Sequence, residues 1–229
     1  MCGRYALFSP GQEIARWFGV VETPDLSPRF NIAPGQKVQG VLQRQSGGRV
    51  LTPLQWGFIP HWSVHPDRGP KSINARMETA REKSAFSDAF KHRRCLLPAN
   101  GFYEWKTESG MKRPWYMESA MEPFLAFAGI WARWSDPQGD RTIESCAILT
   151  TESRGVTRQI HHRMPLLVAP EQFEGWLDGA SEAPPDPTSF TWGHPISARP
   201  VSRIVNSPTV DEPACLNPDS GEGITEQLF

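Results

Sequence analysis

The sequence predicts an α+β fold, in which residues 1–229 form a single compact domain around a mainly antiparallel, partly barrel-like β-sheet with flanking helices. Three observations favour this fold. Short segments rich in β-forming residues recur along the chain, helical stretches are few, and 229 residues with 38% apolar side chains suit one large domain. From about residue 206 the chain is polar, and we expect a loosely ordered C-terminal tail.

The predicted strands are short and are bounded by turn signals. They are Val38–Arg44, Val50–Trp56, Arg94–Leu97, Phe102–Lys106, Trp115–Glu118, Phe124–Ala132, Ile143–Thr151 and Pro200–Ile204. Gly47-Gly48 and Ser109-Gly110 are typical of hairpin turns. Many short strands with few helices indicate an antiparallel β core.

Three helical stretches are expected beside this core. The first opens at Ser9, which can cap it together with Gln12 in a capping box, and Gly19 ends it. The other two are Met77–Phe90, which is interrupted, and Pro170–Leu177.

The charge of the chain limits the kinds of partner that it can bind. A net charge of −1 argues against a protein that coats nucleic acid indiscriminately. Residues 67–94, however, carry eight Lys or Arg against four Asp or Glu. This basic stretch is either a solvated helix face or a phosphate-binding surface, and the charge pattern alone favours neither.

The four cysteines, at positions 2, 95, 146 and 215, are too far apart in sequence for a CxxC metal clip, and we expect neither a metal nor another cofactor. The longest apolar run, Phe124–Ala132, is about half the length that crosses a membrane. The N-terminus has no secretory pattern. We therefore expect a cytoplasmic protein without membrane contact.

The chain begins Met1-Cys2-Gly3, and removal of Met1 would leave Cys2 with a free α-amine beside its thiol. Such a 1,2-aminothiol condenses with an aldehyde to a Schiff base, and the thiol then closes a five-membered thiazolidine ring. The α-amine titrates near about 7.7–8.0 and the thiol near about 8.5, so both are partly nucleophilic at neutral pH. An internal cysteine lacks the free amine and cannot form this ring.

Several interior side chains are candidates for chemistry. Asn74 offers a donor and an acceptor, and Arg76 a fork that matches phosphate. Glu104 lies among aromatic residues, where a carboxyl group has a raised pKa suited to acid–base work, unless it faces outward on its strand. His161 and His162 are adjacent, which disfavours a shared metal, and one of them could act as an acid or base or be structural.

Six segments together resemble the SRAP family, the SOS response-associated peptidases or abasic-site processing proteins. They are Cys2-Gly3-Arg4, RFNIAPG from residue 29, WGFIPHW from 56, INARMET from 73, GFYEW from 101 and IHHRMP from 160. They occur in the family's order and span nearly the whole chain.

The resemblance implies a compact α+β fold and a processed N-terminal cysteine that forms a thiazolidine with the ring-opened sugar of an abasic site. It makes Cys2 the nucleophile, with Asn74, Glu104 and His161 as its active-site partners. The positions that map onto the DNA-binding groove are Arg4, Asn31, Trp62, Arg76, Thr150 and Arg163. The implied partner is single-stranded DNA containing abasic sites. We expect a monomer that is cytoplasmic and associates with the nucleoid when bound to DNA.

Two other functions are also compatible with the sequence. Cys2, His161 and Glu104 could act as the nucleophile, base and orienting group of a cysteine peptidase, although only Met1 precedes Cys2. Alternatively, the aromatic residues and the basic stretch could belong to a non-catalytic module that binds single-stranded DNA. Ser63 follows Trp62 where some relatives have a second aromatic residue, so stacking beside a lesion would be weaker here.

Overall fold

A computed structural model describes residues 2–22, 25–44, 47–67, 71–178 and 192–219, and contains twelve strands and four α-helices over those ranges. The strands are β1 (Tyr5–Leu7), β2 (Arg29–Ile32), β3 (Lys37–Gln43), β4 (Arg49–Trp56), β5 (Asn74–Arg76), β6 (Arg94–Ala99), β7 (Gly101–Glu108), β8 (Met111–Ser119), β9 (Leu125–Ser135), β10 (Thr142–Glu152), β11 (Arg163–Pro165) and β12 (Ile196–Pro200). The helices are α1 (Gly11–Phe18), α2 (Met77–Ala80), α3 (Ser87–His92) and α4 (Phe173–Leu177).

Five strands close into a barrel. β10 pairs with β4, β4 with β3, β3 with β6, β6 with β9, and β9 returns to β10. Within the described chain, the parallel strand pairings in this sheet are those of β10 with β4 and of β10 with the short strand β5, which lies outside the barrel. The predicted α+β class with a mainly antiparallel, partly barrel-like sheet is therefore confirmed.

A second sheet packs beside the barrel, with the strand order β12-β8-β7-β1-β2 and antiparallel pairing throughout. Its central strand β7 pairs with β1, so that Tyr5 lies opposite Phe102. Rings from the two sheets meet in the core, where Tyr5 contacts Trp56 and Phe127 edge to face. This packing anchors the N-terminal segment between the sheet and the barrel.

The C-terminal half of β10 is flanked by two three-residue strands. β5 pairs with it in parallel, with Thr150 opposite Arg76, and β11 pairs with it antiparallel, with Thr150 opposite Pro165. Neither short strand has the length or pattern that predicts a strand from sequence. Their pairing with β10 brings the INAR and HHRMP segments to the same end of the barrel.

The helices lie where the sequence places them, with one difference in capping. The N-cap of α1 is Pro10, without a side-chain cap, because the Ser9 hydroxyl instead accepts a hydrogen bond from the Asn100 amide at 2.8 Å. The predicted capping box is therefore wrong. Gly19 ends α1 with a left-handed φ of 65°, as expected. Met77–Phe90 is broken into α2 and the start of α3, and Pro170–Leu177 is a 3-10 turn followed by α4.

Two predictions near the C-terminus are wrong. The last strand is Ile196–Pro200 and not Pro200–Ile204, because Ser202 caps a 3-10 turn at Arg203–Asn206. The tail is not loosely ordered from residue 206. Over residues 207–219 it folds back on β2, where the Asp211 carboxylate accepts hydrogen bonds from the backbone N–H groups of Phe30 and Asn31.

Candidate active site at the N-terminus

Cys2 lies just before β1 and is fully buried. The register of β1 on β7, extended by a 2.9 Å hydrogen bond from the Tyr103 amide to the Arg4 carbonyl, carries the N-terminal segment along Glu104. Burial raises the pKa of the Cys2 thiol, and the nearby Glu104 carboxylate raises it further. The thiol is therefore protonated at neutral pH, and its use as a nucleophile requires a base.

Asn74 holds the backbone of Cys2. The Asn74 side-chain amide donates a hydrogen bond of 2.8 Å to the Cys2 carbonyl oxygen. Asn74 begins β5, which is fixed by pairing with Ile148 of β10. Its Oδ1 atom is buried and accepts no hydrogen bond from the described residues. A buried acceptor of this kind suits an N–H or O–H group that enters the site.

Glu104 and His161 lie side by side, with 3.9 Å between Glu104 Oε1 and His161 Nδ1. Glu104 is only 4% exposed, so the alternative of an outward-facing strand glutamate is wrong. Burial raises the pKa of the Glu104 carboxyl, and the positive charge of the N-terminus opposes that shift. A carboxyl group in this environment exchanges protons closer to neutral pH than an ordinary glutamate does.

His161 follows the 3-10 turn Gly155–Gln159, and its ring is oriented by the backbone of Arg163. His161 Nδ1 lies 3.0 Å from the Arg163 amide nitrogen and 3.1 Å from the Arg163 carbonyl oxygen, so it accepts from the first or donates to the second according to the tautomer. Burial lowers the pKa of His161 below its ordinary 6.5. The ring is therefore neutral at pH 7 and can take up a proton.

Glu104 and His161 border a cleft of about 480 Å³. Its lining residues are Glu104, Trp105, Lys112, His161 and Asn206. Lys112 and Asn206 are absent from the candidates that the sequence provides. No local motif marks either residue. Lys112 lies on β8, the hairpin partner of β7, and Asn206 reaches the cleft from the C-terminal segment through long-range packing.

The predicted groove residues Arg4 and Asn31 contact each other. One Arg4 guanidinium nitrogen donates to Asn31 Oδ1 and to the Val205 carbonyl, both at 2.7 Å. Asn31 is fully buried, and its Nδ2 lies within hydrogen-bond distance of the carbonyl oxygens of Val205, Ser207 and Val210. Asn31 thus presents no atom to the surface and instead positions Arg4 and the C-terminal segment.

Arg163 is engaged within the protein in a similar way. Its guanidinium forms a bidentate pair with Glu78, at 2.7 and 2.9 Å, and also donates to the backbone carbonyl of Thr150. The side chain of Arg163 is 11% exposed, and Thr150 is fully buried. Hydrogen bonding to Arg163 lowers the pKa of Glu78. This pair ties the INARMET segment to the HHRMP segment.

Trp62 and Arg76 are the predicted groove residues that face solvent. Trp62 is 57% exposed, and Arg76 is exposed at the end of β5. A hydrogen bond holds the loop that carries Trp62: the Trp134 indole N–H donates to the Ser63 carbonyl oxygen at 2.7 Å. A fixed loop with an exposed indole is a surface on which a base can stack.

Within the described ranges, no group of three or more His, Cys, Asp or Glu residues is arranged to hold an ion. The four cysteines are all buried and free.

No helix of the described chain is both long and apolar enough to cross a membrane.

Comparison with solved structures agrees with the fold. A crystal structure of a protein from Bacteroides thetaiotaomicron superposes with a TM-score of 0.80 at 24% identity, over 95% of this chain and 99% of that one. A phage-related protein from Bordetella bronchiseptica superposes with a TM-score of 0.66 at 28% identity, over 88% of this chain and 95% of that one. The same arrangement of sheets therefore occurs in these two bacterial proteins.

Sequence comparison identifies the family. The abasic site processing protein YoaM of Bacillus subtilis is 35% identical over 215 residues, covering 91% of this chain and 94% of YoaM. The abasic site processing protein HMCES of Xenopus tropicalis is 32% identical over 196 residues, covering 75% of this chain and 58% of HMCES. The family model described as SOS response associated peptidase (SRAP) matches residues 1–208. The chain belongs to the SRAP family.

Proposed function

We propose that this protein captures abasic sites in single-stranded DNA through a thiazolidine on Cys2. Removal of Met1 frees the α-amine, which condenses with the aldehyde of the ring-opened deoxyribose and releases one water. The thiol then adds to the Schiff-base carbon, and its proton passes to the nitrogen. The observation that carries the proposal is the hydrogen bond from Asn74 to the Cys2 carbonyl, which holds the N-terminal residue beside Glu104 and His161.

Each active-site residue has a role that its surroundings support. Glu104, with its raised pKa, donates a proton to open the closed sugar and accepts one during ring closure. His161, neutral at pH 7, relays the thiol proton to the nitrogen during ring closure and, once protonated, donates to the hydroxyl that leaves as water and to the sulfur when the adduct reverses. Asn74 orients Cys2, and its buried Oδ1 accepts from the freed amine.

The DNA strand lies across the surface around this cleft. Arg4, Arg76 and Arg163 attract its phosphates, and Trp62 stacks beside the lesion. Asn31 and Thr150 act indirectly, since both are fully buried and bond to Arg4 and Arg163. Because a lesion has no base, no base needs to be read. The protein acts as a monomer in the cytoplasm and at the nucleoid.

Strand cleavage by β-elimination is a side reaction of the Schiff base, and ring closure by the thiol suppresses it. Peptide hydrolysis by Cys2 is the rival reaction, given the family's description as a peptidase. Burial disfavours the Cys2 thiolate that this reaction needs at neutral pH.

The test is the intact mass of the protein after incubation with an abasic oligonucleotide. We expect the sum of both masses minus one water, and an adduct that survives heat. Cys2→Ser should give a labile adduct that borohydride traps, and Cys2→Ala only a Schiff base with more strand cleavage. Protein that retains Met1 should form no stable adduct, since its Cys2 nitrogen is an amide. A heat-stable adduct with Met1 still attached, or cleaved peptide without any adduct, contradicts the proposal.

A further inference from the structure

The cleft has two chemically different sides. Glu104 and His161 form the side next to Cys2, whereas Lys112 and Asn206 also line the cleft and take no part in the proposed chemistry. Among the described residues that line it, Lys112 alone carries a permanent positive charge. Its ammonium is exposed and is close enough to contribute to the lowered pKa of His161. A cation this close to the reacting groups can bind an anion that enters with the substrate.

The Asn206 amide is oriented so that its donors remain for a ligand. The Trp105 indole N–H donates to Asn206 Oδ1 at 2.7 Å, and because an indole N–H is only a donor, the oxygen must face it. The two N–H bonds of Asn206 are left for other partners. The preceding residue is also held firmly, since the Val205 carbonyl accepts from Arg4.

We propose that Lys112 and Asn206 form a phosphate seat, which binds one of the two phosphates that flank the abasic sugar. This inference rests on the DNA recognition in the proposed function. A mobile ammonium and a fixed amide donate together to phosphate oxygens, as is common where proteins grip a nucleic acid backbone. The Glu104 carboxylate repels the same phosphate, so that the two charges orient the strand with its sugar toward Cys2.

The test uses oligonucleotides with a tetrahydrofuran site, which lacks the aldehyde and therefore cannot react. Three versions are compared: all phosphodiester, or with one neutral methylphosphonate on the 5′ or the 3′ side of that site. Lys112→Gln should weaken binding to the all-phosphodiester strand by about fivefold and reduce the slope of log affinity against log salt by about 0.7. On the methylphosphonate strand that lacks the charge of the phosphate bound by Lys112, Lys112→Gln and wild type should bind with equal affinity.

Asn206→Asp is the matched second variant. It keeps the oxygen that accepts from Trp105, replaces the amide donors with a negative charge, and should show the same dependence on that one phosphate. Lys37→Gln makes the same charge change on β3, and Lys37 is not among the residues that line the cleft. The ratio of its affinity to the wild-type affinity should be the same for all three strands. Wild-type affinity of both cleft variants, or one uniform loss on all three strands, overturns the seat.

A separate readout needs no DNA. NMR titration of His161 in the free protein should give a higher pKa in Lys112→Gln, since a neighbouring positive charge is removed. An unchanged pKa of His161 would mean that the Lys112 ammonium lies away from the cleft, and this result also overturns the phosphate seat. If instead the phosphate dependence is found but a true abasic strand gives no covalent adduct, the seat stands and the proposed function fails.

Discussion

The side-chain amide of Asn74 donates a 2.8 Å hydrogen bond to the carbonyl oxygen of Cys2, 72 positions earlier in the chain. The bond joins the N-terminal segment to β5 and, through β5, to the barrel strand β10. An N-terminal residue is normally among the most mobile of a chain. Here its position relative to Glu104 and His161 is fixed by the barrel.

Replacement of Asn74 by Asp should slow cross-linking by at least about tenfold, since it removes the donor and sets a carboxylate against the Cys2 carbonyl. The rate is measured on denaturing gels with a labelled abasic strand. Affinity for a tetrahydrofuran strand serves as the control and should remain close to wild type. Folded Asn74→Asp protein that reacts at the wild-type rate would show that the bond does not position the nucleophile.

Glu104→Gln should slow adduct formation by about 10²–10⁴-fold, the usual contribution of a general acid or base. His161→Ala should chiefly slow reversal. Because the pKa of His161 lies below 6.5, wild-type reversal should accelerate as the pH falls through that lowered value, and the variant should lack this acceleration. Release of labelled strand from purified adduct gives both rates. Effects under tenfold on both reactions would exclude these assignments.

Glu104→Gln should also make the protein more stable at neutral pH. The folded-state pKa of Glu104 is raised above its ordinary 4.5, so the folded protein binds the proton more tightly and wild-type stability falls as the pH rises through that raised value. The variant carries no such cost. Its gain in Tm, about 2–4 °C per kcal/mol, should be present at pH 7–8 and vanish below pH 4.5. An equal difference at all pH values would mean that ionisation is not its source.

Gly101→Ala should destabilise the protein by about 1–3 kcal/mol. A Cβ there would lie 2.4 Å from Cζ of Tyr116 and 2.5 Å from the Met117 carbonyl oxygen, which β7–β8 pairing keeps in place. Gly175→Ala is the matched control, because a Cβ at that position in α4 meets nothing within 4 Å and should add about 0.5–1 kcal/mol through helix propensity. Thermal unfolding measures both. Similar Tm values for the two variants would contradict the close packing at Gly101.

Adducts should form on single-stranded abasic DNA and poorly at an abasic site within a duplex. Cys2 is fully buried, and a stiff duplex cannot bend its sugar in to reach it, whereas a single strand can. Initial rates on both substrates should be compared at two salt concentrations, with weaker binding at the higher one. Equal yields on both substrates would contradict a groove formed around Arg4, Arg76 and Arg163.

The sequence predicted the long strands well and the short ones poorly. β9 and β10 are long and apolar, and their patterns are visible without tertiary context. β5 and β11 have three residues each and exist because β10 offers its edges to them. Predicting such strands requires the position of their partner, which local propensity does not supply.

The site was predicted unevenly for a similar reason. The N-terminal chemistry of Cys2 and the proton-transfer chemistry of Glu104 and His161 make these residues candidates, and the resemblance to the SRAP family groups them into one site. Lys112 and Asn206 carry no such signal, because an exposed lysine and a turn asparagine are ordinary surface residues until packing brings them to one cleft. The polar side chain of Asn31 suggests a surface contact, but the structure shows that Asn31 is fully buried and accepts a hydrogen bond from Arg4.

The bond between Arg4 and the Val205 carbonyl joins residues 201 positions apart in sequence. Contacts of such high sequence separation have a large loop-closure cost and form late in folding. A ribosome adds residues from the N-terminus onward, so Cys2 is made long before Val205 and Asn206. A nascent chain that ends before Asn206 therefore carries Cys2 without this side of the cleft.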